Sequence, residues 1–298
     1  MRGDTYASVG ERKQDGVAVQ IVVDSTADIP RDRARDLGIE VVPLTVMFGD
    51  QSFQDGVDLD GPAFYQKLSN SPVMPTTSTP PPALFEETYR RLIENGATGI
   101  LSMHISGKLS GTFSAARQGA EAVTADTHVP IEVVDSDTVT GGFGLPAEMV
   151  AREARNGADL ATLKAHAASL CERVHVIAVL DTLEFLQRGG RIGRARAMVG
   201  TLLSVKPLIE VRAGQVLPLE NVRTRSKALE RMGQIVAALG EIETLALVAS
   251  DSVVADQITA VAESFWHGPI ERFALGPVVG THAGPGAGGI VAITREQA

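Results

Sequence analysis

The chain is poor in the residues that build covalent or metal scaffolds. Of its 298 residues only Cys171 is a cysteine, so no internal disulfide can form and no cysteine-based zinc site can be completed. A lone thiol suits a reducing compartment, and the cytoplasm is the expected location. The six histidines, His104, His128, His166, His175, His267 and His282, never fall at helical i, i+3 or i+4 spacing, which removes the usual helix-borne metal pair. Aromatic residues make up 4% of the chain, and acidic residues outnumber basic ones to give a formal charge of -9. Nucleic acid and anionic membranes reward a cationic surface, nucleic acid also interleaved aromatics, so neither is an expected partner. No apolar run approaches the roughly 20 residues that span a bilayer. Residues 1–16, MRGDTYASVGERKQDG, lack the apolar segment of a signal peptide and read as a flexible tail.

Phosphate-loop signatures are missing as well. Lys108 follows Gly107 but precedes Leu109, which breaks G-x-x-x-x-G-K-[ST]. Gly284 to Gly289 fits G-x-G-x-x-G by letter, yet it precedes an apolar strand-like run instead of a helix. No cofactor is expected.

What is present is alternation. From residue 17, short β-branched runs (VAVQIVVDS, IEVVPLTVMF, GILSMHI, IEVVDS) alternate with helical segments such as PALFEETYRRLIENG and FSAARQGAEAV. Such alternation implies a parallel sheet covered on both faces. A long helical stretch over Arg152 to Val174 separates this series from a second one: HVIAVLD, a hairpin turning at Ala213-Gly214, the helices SKALERMGQIVAAL and ADQITAVAESFW, and the strands TLALVAS and GIVAIT. The expected fold is α/β, with an N-terminal domain over 17–165 built on a parallel sheet and a C-terminal domain over 166–298 built on a mixed one.

Hydroxyls and glycines recur in the loops after strands: DSTADIP, PTTSTPPP, ISGKLSGT and DSDTVTGG. Ser, Thr and Asp are common helix caps, but capping uses one hydroxyl per helix and SGKLSGT offers three. That stretch is open to three readings: a nucleophile, a phosphate cradle, or a clamp for another anion. Gly107-Lys108-Leu109-Ser110-Gly111 has the wrong spacing for the G-x-S-x-G turn of α/β-hydrolases, although His282 leaves a Ser110 nucleophile as the alternative. His282 itself lies among glycines that allow a ligand close to the backbone. Two basic clusters stand out in this acidic chain, Arg188, Arg191, Arg194 and Arg196, then Arg223, Arg225 and Lys227. Arginine forks bind carboxylate or phosphate at two points, so an anion is expected nearby.

IVVDSTADIP, TSTPPP, ISGKLSGTFSAA, VDSDTVTGG, FLQRGGRIG, RTRSKAL and GTHAGPGAGG occur here in one order. In that order they resemble the DegV family, bacterial fatty-acid-binding proteins that include the carrier subunit of fatty acid kinase. The resemblance implies two α/β domains enclosing a long-chain fatty acid, its tail in an apolar tunnel and its carboxylate held by Thr77, Ser78, Ser106, Ser110 and His282. It implies a non-catalytic carrier that presents the lipid to a partner kinase for phosphorylation, with Arg191 and Arg223 or Arg225 outside the pocket, facing phosphate or partner. The alternative is a serine-dependent lipid hydrolase or acyltransferase using Ser110 and His282. Two positions depart from the family pattern: Thr79 replaces a glutamine and Gly107 a serine.

Overall fold

The structure is a computed structural model that describes residues 18–200 and 205–296; the expected tail over 1–16 lies outside the described residues. In chain order the first part comprises β1 (Val19–Asp24), α1 (Arg31–Leu37), β2 (Ile39–Val42), β3 (Thr45–Phe48), β4 (Gln51–Gln54), α2 (Gly61–Asn70) and β5 (Thr76–Ser78). Then come α3 (Pro82–Glu94), β6 (Gly99–His104), α4 (Thr112–Thr127), β7 (Ile131–Asp135), α5 (Gly141–Arg155) and α6 (Leu160–Arg173). The second part comprises β8 (Val174–Val179), α7 (Glu184–Arg188), β9 (Lys206–Arg212), β10 (Gln215–Val222), α8 (Arg225–Ala237), β11 (Ile242–Ala249), α9 (Ser252–Ala262), β12 (Ile270–Ala274), α10 (Pro277–Ala283) and β13 (Gly288–Thr294).

The first sheet has the order β2-β1-β6-β7 and is wholly parallel. The second, β10-β9-β8-β13-β11-β12, is mixed, with only β11 and β12 parallel. The fold is therefore α/β with one parallel and one mixed sheet, as the alternation implied. Both are packed on two faces. Phe85 and Tyr89 of α3 and Ala116 and Val123 of α4 cover one side of the parallel sheet against Val22 and Ile100. Met232 and Val236 of α8, with Ile258 of α9, cover the far side of the mixed sheet. Between the sheets, α5 and α6 join a shared core with Ile21, Met103, Val176 and Val248. Strand β8 obeys the period of two: Val174 and Val176 enter this shared core, Ile177 and Val179 the outer one. The boundary expected at 165/166 falls within α6, whose Leu163, Ala167 and Leu170 are all buried there.

The hairpin expected at Ala213-Gly214 joins β9 to β10, and both residues have positive φ, 48° and 72°, as the tight turn of a twisted hairpin requires. Three local expectations are corrected. IEVVPLTVMF is not one strand. Pro43 has no N–H for a ladder, and the chain divides there into β2 in the parallel sheet and β3 in a separate antiparallel sheet, β4-β3-β5. PTTSTPPP is not all loop, since Thr76 to Ser78 pair with β3. GGFG after DSDTVT belongs to a helix, forming the buried first turn of α5. A side chain at Gly144 would begin 2.3 Å from the Ala27 carbonyl oxygen, so glycine lets that turn press against the loop after β1.

A buried polar chain fixes the ends of β1 and β6. Asp24 accepts from His104 Nδ1 and from the N–H groups of Thr26 and Ile105, each at 3.0 Å, and also from the Thr26 hydroxyl. With the proton on Nδ1, His104 Nε2 accepts from Ser102 (2.7 Å), and Ser102 from Tyr89 (2.8 Å). Asp24, Ser102, His104 and Tyr89 are all fully buried. Asp24→Ala strands several buried donors and is expected to lower unfolding stability by about 3–5 kcal/mol in urea titrations, whereas Tyr89→Phe removes only the terminal donor and costs about 1 kcal/mol.

Candidate functional site

In the parallel sheet the chain winds one way from β1 to β2 and the other way from β6 to β7. Ligands of open parallel sheets lie beyond the strand ends at such a reversal. The loops after β1 and β6 meet there, and Thr26, Ile105, Leu109 and Ser110 from them line a cavity of about 950 Å³, counted out to its open mouth. The mixed sheet supplies the opposite wall through Val176, Ala178, Ile209, Val211, Val216 and Val248. Val176 and Ala178 of β8 and Ile209 and Val211 of β9 are alternate positions, the face that the period of two turns inward, and Val216 of β10 and Val248 of β11 extend the same wall. The result is a mainly apolar slot with a polar end where β5 and the residue after it bring His282 and Ser110 together through Thr77 and Thr79.

Two segments far apart in sequence meet at that end. Strand β5 carries Thr77 and α10 carries His282, and Thr77 Oγ1 lies 2.9 Å from His282 Nε2. His282 is half-buried, and its Nδ1 has no hydrogen-bond partner among the described residues. Burial, reinforced by the positive charge of Arg191, pushes its pKa down to about 4, so the ring is neutral at pH 7. A neutral imidazole has one N–H. If Nε2–H donates to Thr77, the Thr77 hydroxyl proton is free to donate onward; if Thr77 donates to Nε2, Nδ1 keeps its proton. Either tautomer leaves one donor unspent.

Ser110 adds a second group. Its hydroxyl lies 2.8 Å from Thr112 Oγ1 and 3.4 Å from Thr79 Oγ1, placing Thr79, one of the two departures from the family pattern, on the cavity lining beside it. Ser78 also lines the cavity and is exposed. Ser106 is elsewhere: fully buried, it accepts from Lys108 N–H (3.1 Å) and donates to the Gly214 carbonyl (3.4 Å) at the hairpin turn. Gly107, the other departure, donates its N–H to Asp135 (3.1 Å), and a side chain there would begin 2.9 Å from that carboxylate. Neither Ser106 nor Gly107 is part of the lining.

The arginines divide. Arg191 lines the cavity at its exposed edge, anchored by the carbonyls of Leu109 (3.2 Å) and Gly189 (2.7 Å), instead of standing outside the pocket as expected. Arg225 is engaged by Asp181 (3.1 Å), Gln257 (2.9 Å) and the Gly286 carbonyl (2.7 Å). Arg223 is exposed. For the hydrolase alternative a nucleophile must contact its base; Ser110 is bonded to Thr112, and His282 to Thr77. No group of three or more acidic, histidine or cysteine side chains among the described residues is arranged to hold a metal ion.

Sequence reasoning missed three lining or supporting residues. Thr26 and Thr140 line the cavity from DSTADIP and DSDTVTGG, loops already marked by their hydroxyls. Gly189 packs so closely on the histidine that a side chain would begin 2.2 Å from His282 Nδ1. The double glycine of QRGGR was its only trace.

Residues 18–295 match the family model described as an uncharacterised protein of the DegV family. A DegV domain-containing protein of Streptomyces coelicolor is 37% identical over 93% of this chain and 99% of its own. Among solved structures, a DegV family protein of Thermus thermophilus described by its fatty acid binding superimposes with a TM-score of 0.84 at 31% identity, covering 93% of this chain and all of that one. DegV of Bacillus subtilis, described as a fatty acid binding protein, gives 0.83 at 29% identity over 93% and 99%. With the family model spanning both sheets and the cavity between them, the chain belongs to the DegV family.

Proposed function

We propose that this protein binds a long-chain fatty acid in the cavity and presents its carboxylate to a partner kinase for conversion to an acyl phosphate. The observation that carries the reading is the Thr77–His282 couple in a mainly apolar slot: with the ring proton on Nε2 donated to Thr77, the Thr77 hydroxyl is left to donate to a ligand. A fatty carboxylate is ionised at neutral pH and needs donors once it leaves water. Thr77, through the neutral His282, gives one; Ser110 and Ser78, with Thr79 beside them, are within the same lining. Ser106 supports the loop from behind. A neutral donor set of this kind holds the anion without a strong ion pair, which suits a carrier that must surrender its cargo.

The tail supplies most of the affinity. Burying about 14 methylenes at ~0.8 kcal/mol each contributes roughly 11 kcal/mol before association and ordering costs, enough for micromolar or tighter binding. The ligand would lie between an N-terminal unit ending with α6 and a C-terminal unit beginning with β8. The relatives of known structure described by fatty acid binding support the ligand class. The partner kinase rests on the family resemblance and on Arg191 at the open edge, where its charge can neutralise an added phosphoryl group. Arg223 is exposed and free to face the same partner, while Arg225 holds Asp181 in place. The single, half-buried cysteine suits a cytoplasmic carrier.

Mass spectrometry of small molecules released from the purified protein tests the ligand: a co-purified fatty acid is expected, and an empty protein without affinity for palmitate or oleate sinks the reading. Thr77→Val and His282→Ala are each expected to weaken palmitate binding by about 10- to 100-fold, the worth of one hydrogen bond to a charged acceptor, with little change in thermal stability. Arg191→Ala is expected to reduce acyl-phosphate formation more than it reduces fatty-acid affinity; equal losses in a kinase assay and a binding titration would make it a carboxylate ligand only.

A further inference from the structure

A second cleft opens on the other side of the turn after β1, and two carboxylates with no established role meet at its base. Asp28 is 9% exposed and Asp55 4%. Asp28 accepts from the Thr140 hydroxyl (2.5 Å) at the start of α5 and from Gly276 N–H (3.0 Å), the residue that caps α10. Asp55 accepts from the Ser25 hydroxyl (2.8 Å) and from the N–H of Val278, within the first turn of α10. Both carboxylates crowd Gly276, where a side chain would begin 2.8 Å from Asp28 and 3.2 Å from Asp55. The two groups therefore hold one helix end from below, and that helix carries His282.

None of the ion pairs among the described residues engages either carboxylate. Each also faces the further negative charge of Asp24, at the end of β1. From α2 the Tyr65 ring stands close, its hydroxyl kept neutral by burial. Arg31 and Arg35 of α1, Glu40 of β2 and Asp60 before α2 line the same cleft, but Arg31 and Arg35 are exposed and Arg35 pairs with Asp36. Two adjacent buried carboxylates without a cation do not both ionise easily.

We propose that Asp28 and Asp55 are the positioning residues of the head-group site: with a proton retained on the pair they seat α10 so that His282 meets Thr77, and ionisation of both, which sets like charges against each other beside Gly276, unseats the helix and weakens ligand binding. Burial first, then mutual repulsion, raises Asp28 well above the ordinary carboxylate range, and burial pushes Asp55 up to about 7. The proton is thus lost across neutral pH, and affinity falls as pH rises.

This inference rests on the fatty-acid reading, and its test separates the two. Palmitate binding is titrated from pH 6 to 8.5, where the ligand is ionised throughout, for wild type and Asp55→Asn. The wild-type Kd is expected to rise about fivefold to tenfold across that range, and the Asn variant, which keeps the acceptor oxygen but has no proton to lose, to show a flat profile. A flat wild-type profile, or an undiminished slope in the variant, overturns the proposal. In ligand-free wild type, carboxyl carbon NMR follows both aspartates directly while the His282 ring signals report the helix. A step in the ring signals tracking a carboxyl titration near neutrality supports the node even if no fatty acid binds, which would defeat only the functional reading. Two carboxyls titrating near pH 4, or a ring that ignores them, overturns it even if Asp55→Asn fails to fold.

Discussion

Everything at the binding end depends on the Asp24 carboxylate. It stands where the parallel sheet reverses its winding, so the loops after β1 and β6 diverge from neighbouring strands and nothing in the ladder holds them together. One carboxylate bridges them, accepting from Thr26 on one side and from His104 and Ile105 on the other. A fully buried charge of this kind is tolerable only when its lone pairs are satisfied. The chain through His104 and Ser102 to Tyr89 carries that satisfaction out to α3. Thr26 is thereby held in a fixed place on the cavity lining, and Ile105 leads into the loop that bears Ser110.

The two walls of the cavity have different physical origins. The apolar wall needs nothing beyond strand periodicity, since alternate residues of β8 and β9 face inward whatever lies opposite. The polar end is assembled from long-range contacts, Thr77 with His282 and Ser25 with Asp55, and their geometry is set by carboxylates and glycines packed behind them. Ser25 also receives the Leu44 N–H at 3.0 Å, so the break at Pro43 is held in register with the turn after β1. The apolar wall is thereby robust to small changes of sequence, whereas the polar end depends on a few exact side-chain identities.

That difference explains what was legible beforehand. Runs such as VQIVVD and TLALVA announced buried strands, and the hairpin at Ala213-Gly214 followed from its turn chemistry. The loops of Thr77, Ser110 and His282 stood out by their hydroxyls and glycines, and the resemblance to the DegV family singled out those residues within them. Ser106 shared that composition but faces the hairpin turn, because composition marks a loop without saying which of its side chains points inward. Strand β5 was invisible: three residues carry no periodicity, and only pairing with β3 makes them a strand. Arg191 was placed outside the pocket by the family resemblance, whereas the Leu109 and Gly189 carbonyls draw it to the rim. Asp28 and Asp55 gave no signal at all, being ordinary turn residues until α10 is folded over them.

The proton inventory of the head-group end follows from these placements. His282 resists protonation, with its pKa lowered from the usual value to about 4; the folded state binds fewer protons than the unfolded chain there, and stability from this group is lost as pH falls from about 6.5 to 4. Asp55 retains its proton, with its pKa raised from 3.8 to about 7; the folded state binds more protons, and stability from this group is lost as pH rises from about 4 to 7. Over most of the acid range the two slopes oppose each other. Above about 6.5 the histidine has finished titrating and only the carboxylate remains. A site built from a neutral histidine on α10 and a protonated acid beneath the start of that helix is therefore best formed just below neutrality, where the ring is a neutral donor and the helix is still seated.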